Sequence, residues 1–156
     1  MDGERRLVLR SAGAGGALAV ALAAGLLKAE RVLAAAWPKD AFEAKSAADA
    51  LKSLGASDAA DSKDVVIEAP QIAENGAVVP IEVMSNVPGT KSMVVLIEKN
   101  PFPLAGQFEF GEGAVPFVKL NVKMGESSHV RVVAEAGGKH YVASKEVKVT
   151  IGGCGG

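Results

Sequence analysis

HVRVVAEAGGKHYVASKEVKVTI, residues 129 to 151, is the stretch that decides the fold. Val130 and Val132 fall on one side of an extended chain, and His129, Arg131 and Glu135 fall on the other. Gly137-Gly138 then interrupts the pattern. Two adjacent glycines accept the positive φ angles that a two-residue hairpin turn demands. After the turn, Tyr141, Ala143, Val147, Val149 and Ile151 alternate with His140, Ser144, Glu146, Lys148 and Thr150. A period of two on both sides of a tight turn predicts an antiparallel hairpin with one face buried.

The same period runs upstream. VPFVKLNVKM from Val115, FEF at 108 to 110 and Val65-Val66-Ile67 all read as short strands. Between 77 and 83, Ala77, Val79, Ile81 and Val83 share one face. SMVVLIE, residues 92 to 98, is apolar without alternation and suits a central strand buried on both sides. NPFPLAG, residues 100 to 106, is a bend that Pro101 and Pro103 shape into a loop. About seven short strands with turns between them predict an all-β, immunoglobulin-like antiparallel sandwich over residues 63–151. Ahead of it, residues 39 to 54, KDAFEAKSAADALKSL, put Phe42, Ala47, Leu51 and Leu54 on one stripe. This predicts one helix, N-capped by Asp40 and stopped by Gly55. ASDAADSK, residues 56 to 63, reads as a linker, so residues 37–62 form a helix-and-linker segment.

Composition sets the outer limits. The 156 residues allow one domain with short extensions. Hydrophobic residues make up 49% and aromatics 4%, so the core is aliphatic. A formal net charge of -1 argues against a nucleic-acid binder, which needs a basic face for phosphates. One cysteine excludes an internal disulfide and every multi-cysteine metal site. No cofactor motif is present. Gly111-Glu112-Gly113 lies between strands and reads as a turn rather than a phosphate loop. His129 and His140 lie on the outward parity of neighbouring strands, where two solvated side chains are the simpler reading than a metal pair. No nucleophile–base–acid spacing stands out, so no catalytic residue is assigned.

Residues 1–36 read as an export signal. Arg5, Arg6 and Arg10 precede a Gly- and Ala-rich apolar stretch from Ala12 to Leu27, and Ala34-Ala35-Ala36 offers a cleavage site before Trp37. The stretch is shorter than the roughly 20 residues that span a bilayer, which argues against a retained membrane anchor. Arg5-Arg6-Leu7-Val8-Leu9-Arg10 fits the twin-arginine pattern, with general secretion as the alternative. The twin-arginine route carries folded proteins to the periplasm, so a passenger without a cofactor points to a partner subunit.

The chain ends Thr150-Ile151-Gly152-Gly153-Cys154-Gly155-Gly156. Alternation stops at Ile151, so residues 152–156 read as a flexible arm carrying the protein's lone thiol. Five extended residues reach about 17 Å. Gly152, Gly153, Gly155 and Gly156 have no Cβ, so the arm is slim enough for a narrow channel. A free thiol ionises near pH 8.5, and the nearest basic residue to Cys154 is Lys148. The thiol is therefore no self-activated catalyst. It is a handle for other proteins, each supplying its own activation. A lipid anchor fits poorly, because neither a mature N-terminal cysteine nor two aliphatic residues after Cys154 are present.

The leader, the early helix, ENGAVVPIEV (74–83), EKNPFPLAGQF (98–108), VKLNVKM (118–124) and above all the terminal GGCGG resemble the SoxY family, the sulfur carriers of the bacterial thiosulfate-oxidising Sox system. The resemblance covers nearly the whole chain. It implies a non-catalytic periplasmic carrier paired with SoxZ, a second β-sandwich protein without a leader. It implies that Cys154 is the covalent attachment site for sulfur. The cytochrome pair SoxAX would join thiosulfate to it, the manganese hydrolase SoxB would release sulfate, and SoxCD, where present, would oxidise the remaining sulfur. The competing reading is a structural or redox sandwich protein whose Cys154 forms an inter-chain disulfide.

Overall fold

The computed structural model describes residues 38–150. The proposed leader, with Arg5 and Arg6, and the tail from Ile151, with Gly152, Gly153, Cys154, Gly155 and Gly156, lie outside the described residues. Within them the chain forms two short helices and nine strands. The helices are α1 (Lys39–Glu43) and α2 (Ala47–Ser53). The strands are β1 (Ala60–Asp61), β2 (Val65–Glu68), β3 (Ile72–Ala73), β4 (Val79–Ser85), β5 (Thr90–Ile97), β6 (Leu104–Glu109), β7 (Phe117–Val122), β8 (Ser128–Ala136) and β9 (Lys139–Val149).

Two sheets pack face to face as an immunoglobulin-like sandwich. The larger runs in the order β1-β9-β8-β5-β6, with β3 also pairing with β9, and the smaller in the order β2-β4-β7. The β8–β9 hairpin forms in the register expected from its alternation, Val132 opposite Ala143 and Ala136 opposite Lys139. Gly137 and Gly138 have φ of 57° and 73°, which only glycine adopts cheaply at both turn positions.

Parity explains the apolar run in β5. Met93, Val95 and Ile97 face the smaller sheet, where they meet Val79, Ile81 and Val83 of β4, alongside Val130 and Val132 of β8 and Val147 of β9 from their own sheet. Val94 and Leu96 face the other way. With Leu104 and Val133 they pack beneath Ala41, Ala50, Leu51 and Ala56 of the helical segment. The larger sheet is thus covered on both faces, and its central strand has no reason to alternate.

Three expectations need correction. The single helix over 39–54 is two helices, because Ala44 is extended (φ -58°, ψ 141°) and Ser46 caps a new start, its Oγ accepting the Asp49 N–H at 3.1 Å. Asp40 is not the cap. It lies in the first turn of α1, whose N-cap position is Pro38. The 56–63 stretch is not a bare linker, since β1 lies there and pairs in parallel with Tyr141 and Val142. Gly55 ends α2 as expected. With φ 69° it donates to Lys52 O at 3.1 Å while Ala56 N donates to Leu51 O at 2.8 Å, the paired bonds of a Schellman stop.

Candidate functional site

The chemistry assigned to the sequence lies on the tail, so the site in the described residues is the root from which the tail leaves. β9 runs from the Gly137-Gly138 turn to Val149, and its last residues are held from both sides. On one side β3 pairs with it in parallel, Ile72 opposite Lys148 and Ala73 opposite Val149. Lys148 N donates to Gln71 O at 3.0 Å, and Thr150 N donates to Ala73 O at 3.1 Å. On the other side Ser127 continues the ladder with its side chain, its Oγ accepting the Val149 N–H at 2.9 Å. Beneath, Gly76 packs so tightly that a Cβ there would lie 2.4 Å from Met124 O and 2.8 Å from Val149 Cγ1. Met124 N in turn donates to Gly76 O at 2.7 Å. The strand is fixed to its last residue, so the tail departs from a defined point.

The NPFP loop between β5 and β6 lies at this same end. Asn100 ties it to the β7–β8 connection, its Nδ2 donating to Lys123 O at 2.7 Å and its Oδ1 accepting from Gly125 N at 3.3 Å. Lys99 N donates to Ser128 Oγ at 3.0 Å. Pro103 is buried and its carbonyl accepts from Ile97 N at 2.8 Å, whereas Phe102 is 50% exposed. The Lys45 ammonium sits 3.4 Å above the Phe102 ring, a cation–π contact worth on the order of 0.5–1 kcal/mol at an exposed site.

The two histidines do not meet. His129 is opposite Glu146 and His140 opposite Glu135, at the two ends of the hairpin. At about 3.4 Å per residue they lie on the order of 20 Å apart. His129 Nδ1 is 3.9 Å from Glu98 Oε2, and Glu98 Oε1 accepts from Arg131 Nη2 at 2.5 Å. Among the described residues no cluster of three or more His, Cys, Asp or Glu side chains could hold a metal ion. Gly111-Glu112-Gly113 is a turn, closed by Ala114 N donating to Gly111 O at 3.1 Å.

A groove of about 740 Å³ lies elsewhere. It lies between the β4–β5 turn and the β6–β7 loop, with Ser92, Gln107 and Glu135 among its lining. Glu135 pairs with His140 at the start of β9, so the groove is at the opposite end of that strand from the tail. Sequence reading had no signal for it, because its walls come from three separate segments.

A family model for SoxY, described as sulfur oxidation protein SoxY, matches residues 50–154. The chain belongs to the SoxY family. The solved structure of the sulfur carrier protein SoxY from Chlorobium limicola f thiosulfatophilum superposes with a TM-score of 0.59 at 35% identity. That match covers 66% of this chain and 96% of the other. A superoxide reductase (neelaredoxin) from Ignicoccus hospitalis superposes with a TM-score of 0.49 at 20% identity, over 55% of this chain and 79% of that one, and carries no argument about function. A comparison with curated protein sequences finds no match. The SoxY match runs through the sandwich and ends on Cys154. Among the described residues no helix is long and apolar enough to cross a membrane.

Proposed function

We propose that the protein is a periplasmic carrier that holds sulfur intermediates covalently on Cys154 and presents them to successive enzymes of thiosulfate oxidation. The observation that carries the proposal is the SoxY family match, which extends to Cys154 itself. The related Chlorobium limicola protein is a sulfur carrier, which supports it. So does the root of the tail, where Ser127, Ala73 and Gly76 hold the end of β9 in place. In this account residues 63–151 are the rigid body, residues 152–156 the flexible arm, and residues 1–36 a twin-arginine export signal with Arg5 and Arg6 at its head. Residues 37–62 are the helical cover and its connection.

The chemistry needs little from the carrier. Oxidative joining of the Cys154 thiol to thiosulfate forms one S–S bond, releases a proton and delivers two electrons to a cytochrome of the SoxAX type. Hydrolysis by a SoxB-type enzyme releases sulfate and leaves a persulfide, which a SoxCD-type dehydrogenase oxidises further where it exists. Gly152, Gly153, Gly155 and Gly156 let the loaded cysteine enter each active site without side-chain clashes. The chain itself turns over nothing. Its permanent partner is a SoxZ-like sandwich subunit, exported with it as a folded pair.

The test is Cys154→Ser in a host growing on thiosulfate. The substitution is expected to abolish thiosulfate-dependent respiration while leaving the fold and the partner complex intact. Retained respiration in that variant would remove the carrier role.

A further inference from the structure

The groove remote from the tail has a composition of its own. Glu109, Glu112 and Glu135 line it against the single cation Lys91, and Val87, Phe110 and Pro116 supply apolar wall. Its shape is built in. Ser85 Oγ and Thr90 Oγ1 are 2.7 Å apart, Thr90 Oγ1 donates to Val87 O at 2.7 Å, and Phe110 N donates to Lys91 O at 2.8 Å. Ser85 N donates to Pro116 O at 3.0 Å, which ties the second wall to the first. In the floor, Glu135 Oε2 accepts from Ser92 Oγ at 3.2 Å, and Gln107 Oε1 is buried without a donor. Gln107 Oε1 is the one buried side-chain acceptor without a donor among the described residues. The groove therefore sets three carboxylates against one ammonium, and its lining is net negative.

We propose that this groove is a docking site for an extended, arginine- or lysine-bearing segment of a partner protein. Charge complementarity selects the occupant: cationic heads to Glu109, Glu112 and Glu135, and apolar stems along Val87, Phe110 and Pro116. The volume suits a few residues of chain rather than a whole domain. The protein's own tail is excluded by reach. β9 has 11 residues and spans about 34 Å, whereas the six residues after Thr150 extend at most about 20 Å from its far end. A partner held here leaves the end that bears Cys154 open to enzymes. The site does not depend on the thiol, so it stands or falls separately from the carrier role.

The probe is a synthetic hexapeptide alternating arginine and valine, titrated into the full chain and followed by amide chemical shifts. The expected result is shifts at Lys91, residues 109–114 and Glu135, absent with a peptide carrying glutamate in place of arginine. A variant combining Glu109→Gln, Glu112→Gln and Glu135→Gln is expected to bind at least about threefold more weakly, the least that three exposed ion pairs would cost. Lys91→Glu, which adds charge at the rim, is expected to tighten binding, and Cys154→Ser to leave it unchanged. Four results overturn the proposal. They are equal binding of both peptides, shifts centred instead on Val66, Met84 and Phe117, a smaller loss in the triple variant, or groove shifts on changing Arg5 and Arg6 to Gln without peptide. The last would give the groove to the chain's own N-terminal segment.

Discussion

Gly76 is where a single atom would be felt at the tail. A methyl group there meets Met124 O and Val149 Cγ1 far inside contact distance, and the first of these is backbone, which yields poorly. Gly76→Ala is expected to destabilise the fold by about 1–3 kcal/mol, as overpacking does, read as a lowered denaturation midpoint. Ser127 acts by hydrogen bonding rather than packing. Its Oγ accepts the Val149 N–H where the β8 ladder has ended, so Ser127→Ala leaves that donor short. The expected cost is about 1 kcal/mol, with faster amide exchange at Val149 and little change in the centre of β9. Cys154→Ser, by contrast, is expected to leave stability unaltered, because the role proposed for the thiol is covalent. Ile81, 1% exposed in the core, behaves oppositely: Ile81→Ala is expected to cost about 2–5 kcal/mol and to spare the thiol.

Elements that speak in periodicity were legible from sequence, and those made by tertiary pairing were not. The β8–β9 hairpin announced itself through alternation and Gly137-Gly138, and β5 through its unbroken apolar run. β1 and β3 are two residues each, both paired to the outer edge of β9. Nothing in so short a segment distinguishes a strand from a linker, yet β3 is half of the root of the tail. The break between α1 and α2 did have a signal. Ser46 three residues before Asp49 is a capping pattern, masked by an apolar stripe that continues across it. Ser46→Ala is expected to cost about 0.5–2 kcal/mol, seen as loss of helical signal without loss of the sandwich. The free edge of β7 carries Lys119, hydrogen-bonded to Glu82 of β4. That bond, and then the carboxylate's charge, raise the Lys119 pKa above its ordinary 10.5. A raised lysine pKa contributes stability at neutral pH and loses it as pH climbs past the raised value. The pair is exposed, so its contribution is small.

At the scale of the whole molecule, the two ends of the sandwich differ in kind. One end pins β9 and presents the NPFP loop, and the other holds an acidic groove. Composition foretold neither. The terminal GGCGG marks Cys154 as the proposed site and the SoxY family model reaches it, while the root before the tail needed the sheet topology. The proposed thiol-bearing arm has a consequence in handling. Protein purified without reductant is expected to contain a Cys154–Cys154 dimer on a non-reducing gel, absent in Cys154→Ser. The central claim, that the cysteine bears sulfur cargo, is tested most directly by intact mass. Protein taken from its own host during growth on thiosulfate would be measured before and after a reductant. The account predicts added masses of sulfur atoms or a thiosulfonate, mapped to Cys154 and removed by reduction. A chain that is unmodified, or merely dimerised, under those conditions would contradict it.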